Sequence, residues 1–506
     1  MYRQLVRSIL IFFFVGSAGS AWATDESTSA NNASSEKVGS PMTAKANALA
    51  PAEAPAQLKH AIPSLSEASG DQSVVKLNLE ESIATAIQAA TSVQKAKNDS
   101  ELNGTQLVQS YAQFLPNLAA TGSYNSAQGQ QLFTSSVPTL VSGRTTGAAY
   151  QISSTLNIFN GFADISGLQS SLARNQSSEL TLVRAKQLIA LDVTQSYLQV
   201  NLDKQIVNIA ERNLESSRAR EQLLTEQTRV GAKNLADLYR QQAQTSSDES
   251  FLITSLDKQR NDEILLVRKL RMDSSRRYEF ADTAIDENAT GPLANENERQ
   301  LIDTALDRRP DLAAQNQITR AFKFDLRSAR ASYMPKLDFV ASLAAAGRTL
   351  NAQDVNGVDA TTTPYQSYSD QLNHDKIWTV GLTLTWNIFD RWSTKLNVER
   401  AHVAAKNALL DNEDLHNQVV GEVRQAYGDY HAVLHQLDTS RKGLLAAQKA
   451  YETVDGRYKA GAASFIDLLT SQATLVQADA ARAQSLISFA LQNKVLETVT
   501  GMAEIK

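Results

Sequence analysis

The chain has 506 residues, 42 % of them hydrophobic, with 49 Lys and Arg set against 54 Asp and Glu. A net charge of −5 leaves no basic surplus for a phosphate backbone, so no nucleic-acid partner is expected. Cysteine is absent, which excludes disulfides, thiolate metal sites and a lipid-acceptor cysteine.

At the N-terminus, Arg3 and Arg7 precede the apolar run Ile9–Val15, and Ala21-Trp22-Ala23 places small residues where a signal peptidase reads. The run is too short to cross a bilayer, so residues 1–23 are expected to be a signal peptide cut after Ala23. Residues 24–73 are Ala, Ser, Asn, Glu and Pro, with Pro41, Pro51, Pro55 and Pro63. Such a segment buries too little apolar surface to offset its ordering entropy and is expected to be a disordered low-complexity extension. No later segment holds the eighteen or so apolar residues a membrane helix needs. Any membrane passage must then be a β-barrel, which satisfies its own backbone groups.

Order is expected from about Leu77. Asn78 with Glu80 and Glu81 signals a helix start, followed by Leu79, Ile83, Ile87 and Ala90 at helical spacing. A second helix is expected from Ser92 to Phe114, stopping before Pro116. The second half opens alike: Leu301, Ala305 and Leu306 form a helix, Arg308-Arg309-Pro310-Asp311-Leu312 breaks and restarts it, and Pro335 ends the next one. Pro310 and Asp311 both suit a first helical turn.

Each opening leads into residues of period two. Leu118, Ala120, Gly122 and Tyr124, then Tyr150, Ile152, Leu156 and Ile158, serve the first half; Leu337, Phe339, Ala341 and Leu343, then Trp378, Val380, Leu382, Leu384, Trp386 and Ile388, serve the second. The opposite face is small and polar rather than Lys- and Glu-rich, which fits a lipid-facing barrel with a wet lumen better than a soluble sandwich. Loops are expected at about 125–145 and 347–376. Four strands cannot close a membrane barrel. Two copies give eight strands and a filled bore, three give twelve and room for a passage, so a homotrimer is expected.

Between and after the strands the chain reads as helix. From Gly161 to Val230 no proline intervenes, and 70 helical residues span roughly 105 Å. The apolar seam Leu188, Leu191, Val193, Tyr197, Leu198 and Leu202 is narrow, suited to a hollow bundle with water on both sides. The two halves repeat. Leu156-Asn157-Ile158-Phe159-Asn160 returns as Trp386-Asn387-Ile388-Phe389-Asp390, and Gly231-Ala232, Asp237-Leu238 and Gln242-Ala243 return as Gly461-Ala462, Asp467-Leu468 and Gln472-Ala473, always 230 positions on. Residues 74–290 and 291–506 are therefore expected to be two copies of one unit: helices, β-hairpin and long helical hairpin. Gly231 and Gly461 stand where each long helix reverses, since glycine accepts the positive φ of a helix C-terminus.

These paired motifs, with Leu115-Pro116 and Met334-Pro335 before a strand, resemble the TolC family of outer-membrane efflux proteins over nearly everything from Leu77 to Gly501. The resemblance implies a trimeric twelve-stranded membrane β-barrel continued by a long α-helical barrel across the periplasm. It also implies a periplasmic membrane-fusion adaptor protein at the hairpin tips, Gly231, Ala232, Gly461 and Ala462, and an inner-membrane pump. Arg308 to Leu312 looks like the version found with proton-driven, RND-type pumps, an ABC-type pump being the other possibility. The family's constriction aspartate matches Asp467, with Asp237 its counterpart in the first repeat, and the latch tyrosine matches Tyr458. Either aspartate also fits an ordinary first-turn charge at a helix N-terminus. A second constriction aspartate of the family falls on Thr470, and a latch arginine on Ala463.

Catalytic patterns are lacking: there is no phosphate-binding glycine loop, no nucleophile elbow and no His-Glu-x-x-His, so neither an enzyme nor a cofactor is expected. His431 and His435 lie one turn apart without a third ligand and read as solvated helix positions rather than metal ligands. Drug efflux, type I protein secretion and a structural envelope tether are the functions that compete.

Overall fold

The computed structural model describes residues 75–134, 138–283, 296–355 and 367–503; the expected signal peptide and the 24–73 extension lie outside the described residues. In chain order the elements are β1 (Val75–Leu77), α1 (Leu79–Ala89), α2 (Thr91–Ala112), β2 (Ala119–Thr134), β3 (Pro138–Phe159), α3 (Ala163–Arg229), α4 (Leu235–Lys269) and β4 (Tyr278–Phe280). The second half follows with α5 (Glu298–Arg308), α6 (Pro310–Ala331), β5 (Lys336–Val355), α7 (Tyr368–His374), β6 (Lys376–Thr385), α8 (Ser393–Lys459) and α9 (Phe465–Val499).

Helix lengths recur to the residue. α1 and α5 have 11 residues, α2 and α6 have 22, α3 and α8 have 67, and α4 and α9 have 35. Local chemistry fixes these boundaries. Asn78 and Glu81 close a capping box on α1, the Glu81 N–H donating to Asn78 Oδ1 at 2.8 Å and the Asn78 N–H to Glu81 Oε2 at 3.0 Å. Between α5 and α6 a single extended residue, Arg309 (φ −67°, ψ 123°), separates the helices because Pro310 bars its predecessor from the helical region. The first half makes the same break at Ala90 (φ −62°, ψ 130°) without a proline.

β2, β3, β5 and β6 form an antiparallel sheet in that order. The register carries one alternation across all of it: Leu156, Phe339 and Leu382 are neighbours on one face, Asn157, Asp338 and Thr383 on the other. Asn157 Nδ2 donates to Asp338 Oδ1 at 2.9 Å, and Lys336 lies 3.1 Å from the same carboxylate. The strands exceed the sequence expectation. Residues 125–134 and 138–145 are not loop: β2 and β3 stay paired up to Thr134 opposite Pro138. Likewise 347–376 contains the end of β5 and helix α7. Backbone pairing needs no apolar alternation, so Gly, Ser, Thr and Gln continue the ladder beyond the oily belt. At the other end β6 stops at Thr385 rather than Ile388, and the Trp386 indole N–H donates to the Tyr333 carbonyl at 3.1 Å. Where β6 begins, opposite Ala345, β5 would lose its partner. The Gln371 side chain takes over, accepting from the Arg348 N–H at 2.8 Å and donating to its carbonyl at 3.0 Å.

Each strand turns into its long helix through two left-handed residues, Gly161-Phe162 (both φ 68°) and Arg391-Trp392 (φ 57° and 67°). A Cβ on Gly161 would lie 2.7 Å from the Ala331 carbonyl oxygen, so the first turn admits only glycine.

The core is a series of thin seams between helices. α3 packs against α2, α4, α6 and α9, while α8 packs against α5, α6 and α9. α4 packs on α3 and on no other element to a comparable extent. One flank of the chain is therefore α2 with α4 and the other is α8. The sheet ends in the same way, with β2 following α2 and β6 leading into α8. A second, parallel strand pair, β1 with β4, was not visible in the sequence pattern. Tyr197 clasps it to α3, its hydroxyl 2.6 Å from the Ala281 carbonyl and 3.1 Å from that of Leu77. Burial, with Asp282 and Glu81 nearby, raises that phenol to about 12.

Candidate functional site

The far ends of the helical hairpins hold most of the residues singled out from sequence. α3 and α8 terminate on Gly231 (φ 75°) and Gly461 (φ 74°). Ala232 N–H reaches the Gln227 carbonyl at 2.8 Å and Gly231 N–H that of Thr228 at 3.0 Å; Ala462 reaches Arg457 at 2.7 Å and Gly461 reaches Tyr458 at 3.0 Å. Both are Schellman motifs, which satisfy the last carbonyls while the chain leaves the helix. The returning helices are capped by side chains. Asn234 accepts from the Ala236 N–H at 3.0 Å. Ser464 and Asp467 form a capping box: the Asp467 N–H donates to Ser464 Oγ at 3.1 Å, and the Asp467 carboxylate accepts from the Ser464 hydroxyl at 2.7 Å and its N–H at 3.1 Å.

Asp467 is exposed, and those two bonds from Ser464 hold its carboxyl below the usual range. Asp237 is half-buried and lies 3.3 Å from Arg240, one turn on. Each aspartate is thus engaged within its own hairpin. Thr470 turns its hydroxyl back to the Ile466 carbonyl at 2.9 Å. Tyr458 bridges the hairpins: Lys233, in the first tip turn, stands 4.4 Å from the centre of its ring, and Phe465 lies 5.8 Å away on the other side of the second turn.

Just above, Leu224, Leu238, Phe465 and Leu468 with Tyr451, Val454 and Tyr458 draw all four helices into one apolar cluster. A polar layer surmounts it. Arg220 on α3 bonds Gln472 on α9 and reaches Tyr451 Oη on α8 at 3.2 Å; Gln472 in turn donates to Asn213 Oδ1 at 2.7 Å. Sequence reasoning missed Arg220. The recurrence of Gln472 at the repeat spacing was the available signal for its partner.

A second polar centre sits near the other end of the helices. The Arg309 side chain is 2 % exposed and grips Asp311 with two bonds, of 3.0 and 2.5 Å, and Glu422 with one of 2.5 Å. Arg184 adds a contact of 3.3 Å to Asp311 and a 3.1 Å bond to the Thr498 carbonyl. Burial works against the charge on Asp311, but the Arg309 bonds and both guanidinium charges outweigh it and hold the carboxyl below its ordinary value. This hub locks α3, α6, α8 and the end of α9 together. At Gly501 (φ 74°) an added Cβ would lie 3.0 Å from the Arg308–Arg309 backbone, so this close approach favours glycine. His431 packs edge-on against Tyr427, ring centres 4.5 Å apart, and among the described residues no group of three or more metal-binding side chains gathers.

Among the described helices none is long and apolar enough to cross a membrane. The apolar belt lies on the sheet, where Trp378, Val380, Leu382 and Leu384 of β6 are exposed. Residues 301–501, from α5 through the hub and both features of the second tip, match the family model described as outer membrane efflux protein. Over that stretch the chain is similar to the outer membrane efflux protein family. Its compartment is accordingly the cell outer membrane. Among relatives in that family, the pyoverdine export outer membrane protein OpmQ of Pseudomonas aeruginosa is 23 % identical over 316 residues, 62 % of each chain. The outer membrane protein TolC of Escherichia coli is 21 % identical over 35 % of this chain and 34 % of its own. The matched stretches thus span about three-fifths and about a third of those relatives. The solved structure of CusC, described by its transmembrane channel formation, superposes with a TM-score of 0.71 at 15 % identity over 87 % of this chain and 95 % of that one. The fold is therefore that of the family's channels, a long helical body carrying a β domain.

Proposed function

We propose that three copies of this chain close into a passive exit duct, the outer-membrane component of a tripartite efflux pump. The observation that carries it is the agreement of the open flanks. β2 with α2 and α4 faces out on one side, β6 with α8 on the other, along the whole molecule. Joining β6 of each copy to β2 of the next gives twelve strands with no free edge, and it brings α8 against α2 and α4 at every level of the helical body. In this reading 1–23 is removed on export, 24–73 is a linker, and 74–290 and 291–506 are the two repeats of the wall. A periplasmic adaptor grips the tips at Gly231, Ala232, Gly461 and Ala462, and an inner-membrane pump, RND-type before ABC-type, supplies the energy. OpmQ exports pyoverdine, and that precedent supports small-molecule cargo over the protein cargo of a type I secretion system.

The experiment is retention of a fluorescent efflux dye, with antibiotic susceptibility alongside, in cells lacking the gene. Several-fold higher retention, reversed by the intact gene, is the expected result; unchanged retention with a secreted protein missing from the medium would replace drug efflux by protein secretion.

At the tip we assign Asp467 to the constriction, with Asp237 and Tyr458 in its support. Three exposed carboxylates converging on one axis attract cations. In planar-bilayer recordings, block of the conductance by divalent cations should weaken at least several-fold in Asp467→Ala. Equal block in both proteins would remove Asp467 from the gate and leave it as a helix cap.

A further inference from the structure

The two long hairpins are copies in length but not in what holds them together. Between α8 and α9 the buried cluster is apolar: Tyr430, Leu437, Leu486 and Phe489 are buried there, with Val433 and Leu434 packed on them. Between α3 and α4 the chain buries charge. The Asp203 side chain is 3 % exposed; its Oδ1 accepts from Gln199 at 3.0 Å and from Lys258 of α4, while Oδ2 is buried with no hydrogen-bond partner. Lys258 also reaches Asp262, one turn along α4, at 3.2 Å. Fourteen residues further down α3, Ser217 bonds the buried Asp248, to which Gln244 also donates at 2.9 Å. At the repeat spacing these positions hold Val433 for Asp203, Ser488 for Lys258, Gln492 for Asp262, Ala447 for Ser217 and Ala478 for Asp248. One hairpin has been given buried carboxylates, and the other has none among the described residues.

Position makes that difference matter. α9 is held by α8 and by α3, whereas α4 rests chiefly on α3. We propose that Asp203 is a proton-operated clamp: its neutral form lets α4 close tightly on α3, and its ionised form loosens α4 from the body of the chain.

The charged groups that act on Asp203 are few. Lys258 and Asp262 face it from α4. Lys204, next to it on α3, is turned to the Phe280 carbonyl and to Asp282 at 3.5 Å. α9 meets this stretch of α3 with Ala483 and Ile487 against Leu198, Leu202 and Ile209, and its Asp479 pairs with Arg212 at 3.6 Å, beyond Ile209. Burial first, then the neighbouring Asp262 carboxyl, push Asp203 up to about 6 against the pull of Lys258. A folded value above the unfolded 3.8 means that the fold disfavours the ionised form. The clamp is therefore firmest below 3.8 and weakens as pH rises through about 6. When Asp203 takes its proton, Lys258 keeps Asp262 as counter-ion, and no buried charge is stranded.

The test is hydrogen–deuterium exchange on the full-length protein, expressed as protection factors so that the intrinsic pH dependence of exchange cancels. Amides of α4 around 250–262 should gain protection on the order of tenfold from pH 7.5 to pH 5.0, while α9 amides stay level. Asp203→Asn, which mimics the neutral acid, should hold α4 at the acid-side value throughout. Lys258→Met should move the transition to higher pH, and it keeps the proposal falsifiable where Asp203→Asn fails to fold. Absence of a transition in the wild-type protein, or the same transition in Asp203→Asn, would overturn the clamp. The consequence for the duct, a flank of each subunit that stiffens in acid, rests on the trimer proposed above; a mass measurement on the same sample separates failure of the trimer from failure of the clamp.

Discussion

Replacing Arg309 by alanine should lower the unfolding free energy by about 3–5 kcal/mol, the range for removing one partner of a buried charge pair. The guanidinium is almost fully enclosed and neutralises two carboxylates at once. Without it Asp311 keeps Arg184 and the Leu312 N–H, and Glu422 keeps the amide of Gln418, 2.8 Å away. α8 then loses its attachment to the rest of the hub, so the damage should appear as a lowered denaturation midpoint of the whole helical body in detergent, read by circular dichroism. A second variant distinguishes buried charge from lost packing. Arg309→Met with Glu422→Met removes both members of one pair and leaves Arg184 on Asp311, so it should recover most of the loss. The pH dependence has a definite sign. Asp311 is depressed in the fold, so its contribution is present above 3.8 and is lost only as pH falls through the lower folded value. Between pH 5 and 8 the wild-type hub should be flat. A single-alanine variant as stable as wild type would show that the enclosed charges contribute nothing net.

How far the hub was legible in the sequence shows where pattern reading ends. Pro310 announced the helix break and Asp311 the restart, because both act on their immediate neighbours. Arg184 and Glu422, more than a hundred residues away on either side, carry no local mark. The same division runs through the molecule. Helix ends were readable to within a residue or two at Asn78, Pro310, Gly231 and Gly461, where capping and φ preferences are local. The upper strands at 125–145 were read as loop, since a strand outside the oily belt has no apolar alternation and is held by its ladder. The β1–β4 pair is three residues on each side, too short for any period, and its anchor Tyr197 is found only in space. At the tip Asp467 was readable as a first-turn residue, and the Ser464 capping box confirms that local role. Arg220, whose partners lie on the other hairpin, was not. The repeat itself was the strongest signal, and its exceptions, such as Asp203 against Val433, are where function has room to differ.

The faces of the sheet make the other large prediction. Leu382 lies in the row Leu156, Phe339, Leu382, and Thr383 beside it lies in the row Asn157, Asp338, Thr383. With the apolar face to lipid, Leu382→Arg places a charge near the middle of the belt at a cost of roughly 2–4 kcal/mol in each copy. In a closed trimer the three copies add, to about 6–12 kcal/mol, which exceeds what a barrel shared among three chains tolerates. Trimer recovered from outer membranes should fall to near zero. Thr383→Arg puts the same charge one residue along and into the lumen, where water solvates it; trimer yield should stay near wild type while the anion-to-cation preference of the channel rises. Because strand side chains alternate with a period of two, these neighbours cannot both tolerate arginine on the same face. If Leu382→Arg assembles normally and Thr383→Arg does not, the sheet is turned inside out and the wet row faces the membrane. Loss of both variants would mean that the sheet is enclosed on each side, which a soluble sandwich requires and an aqueous duct forbids.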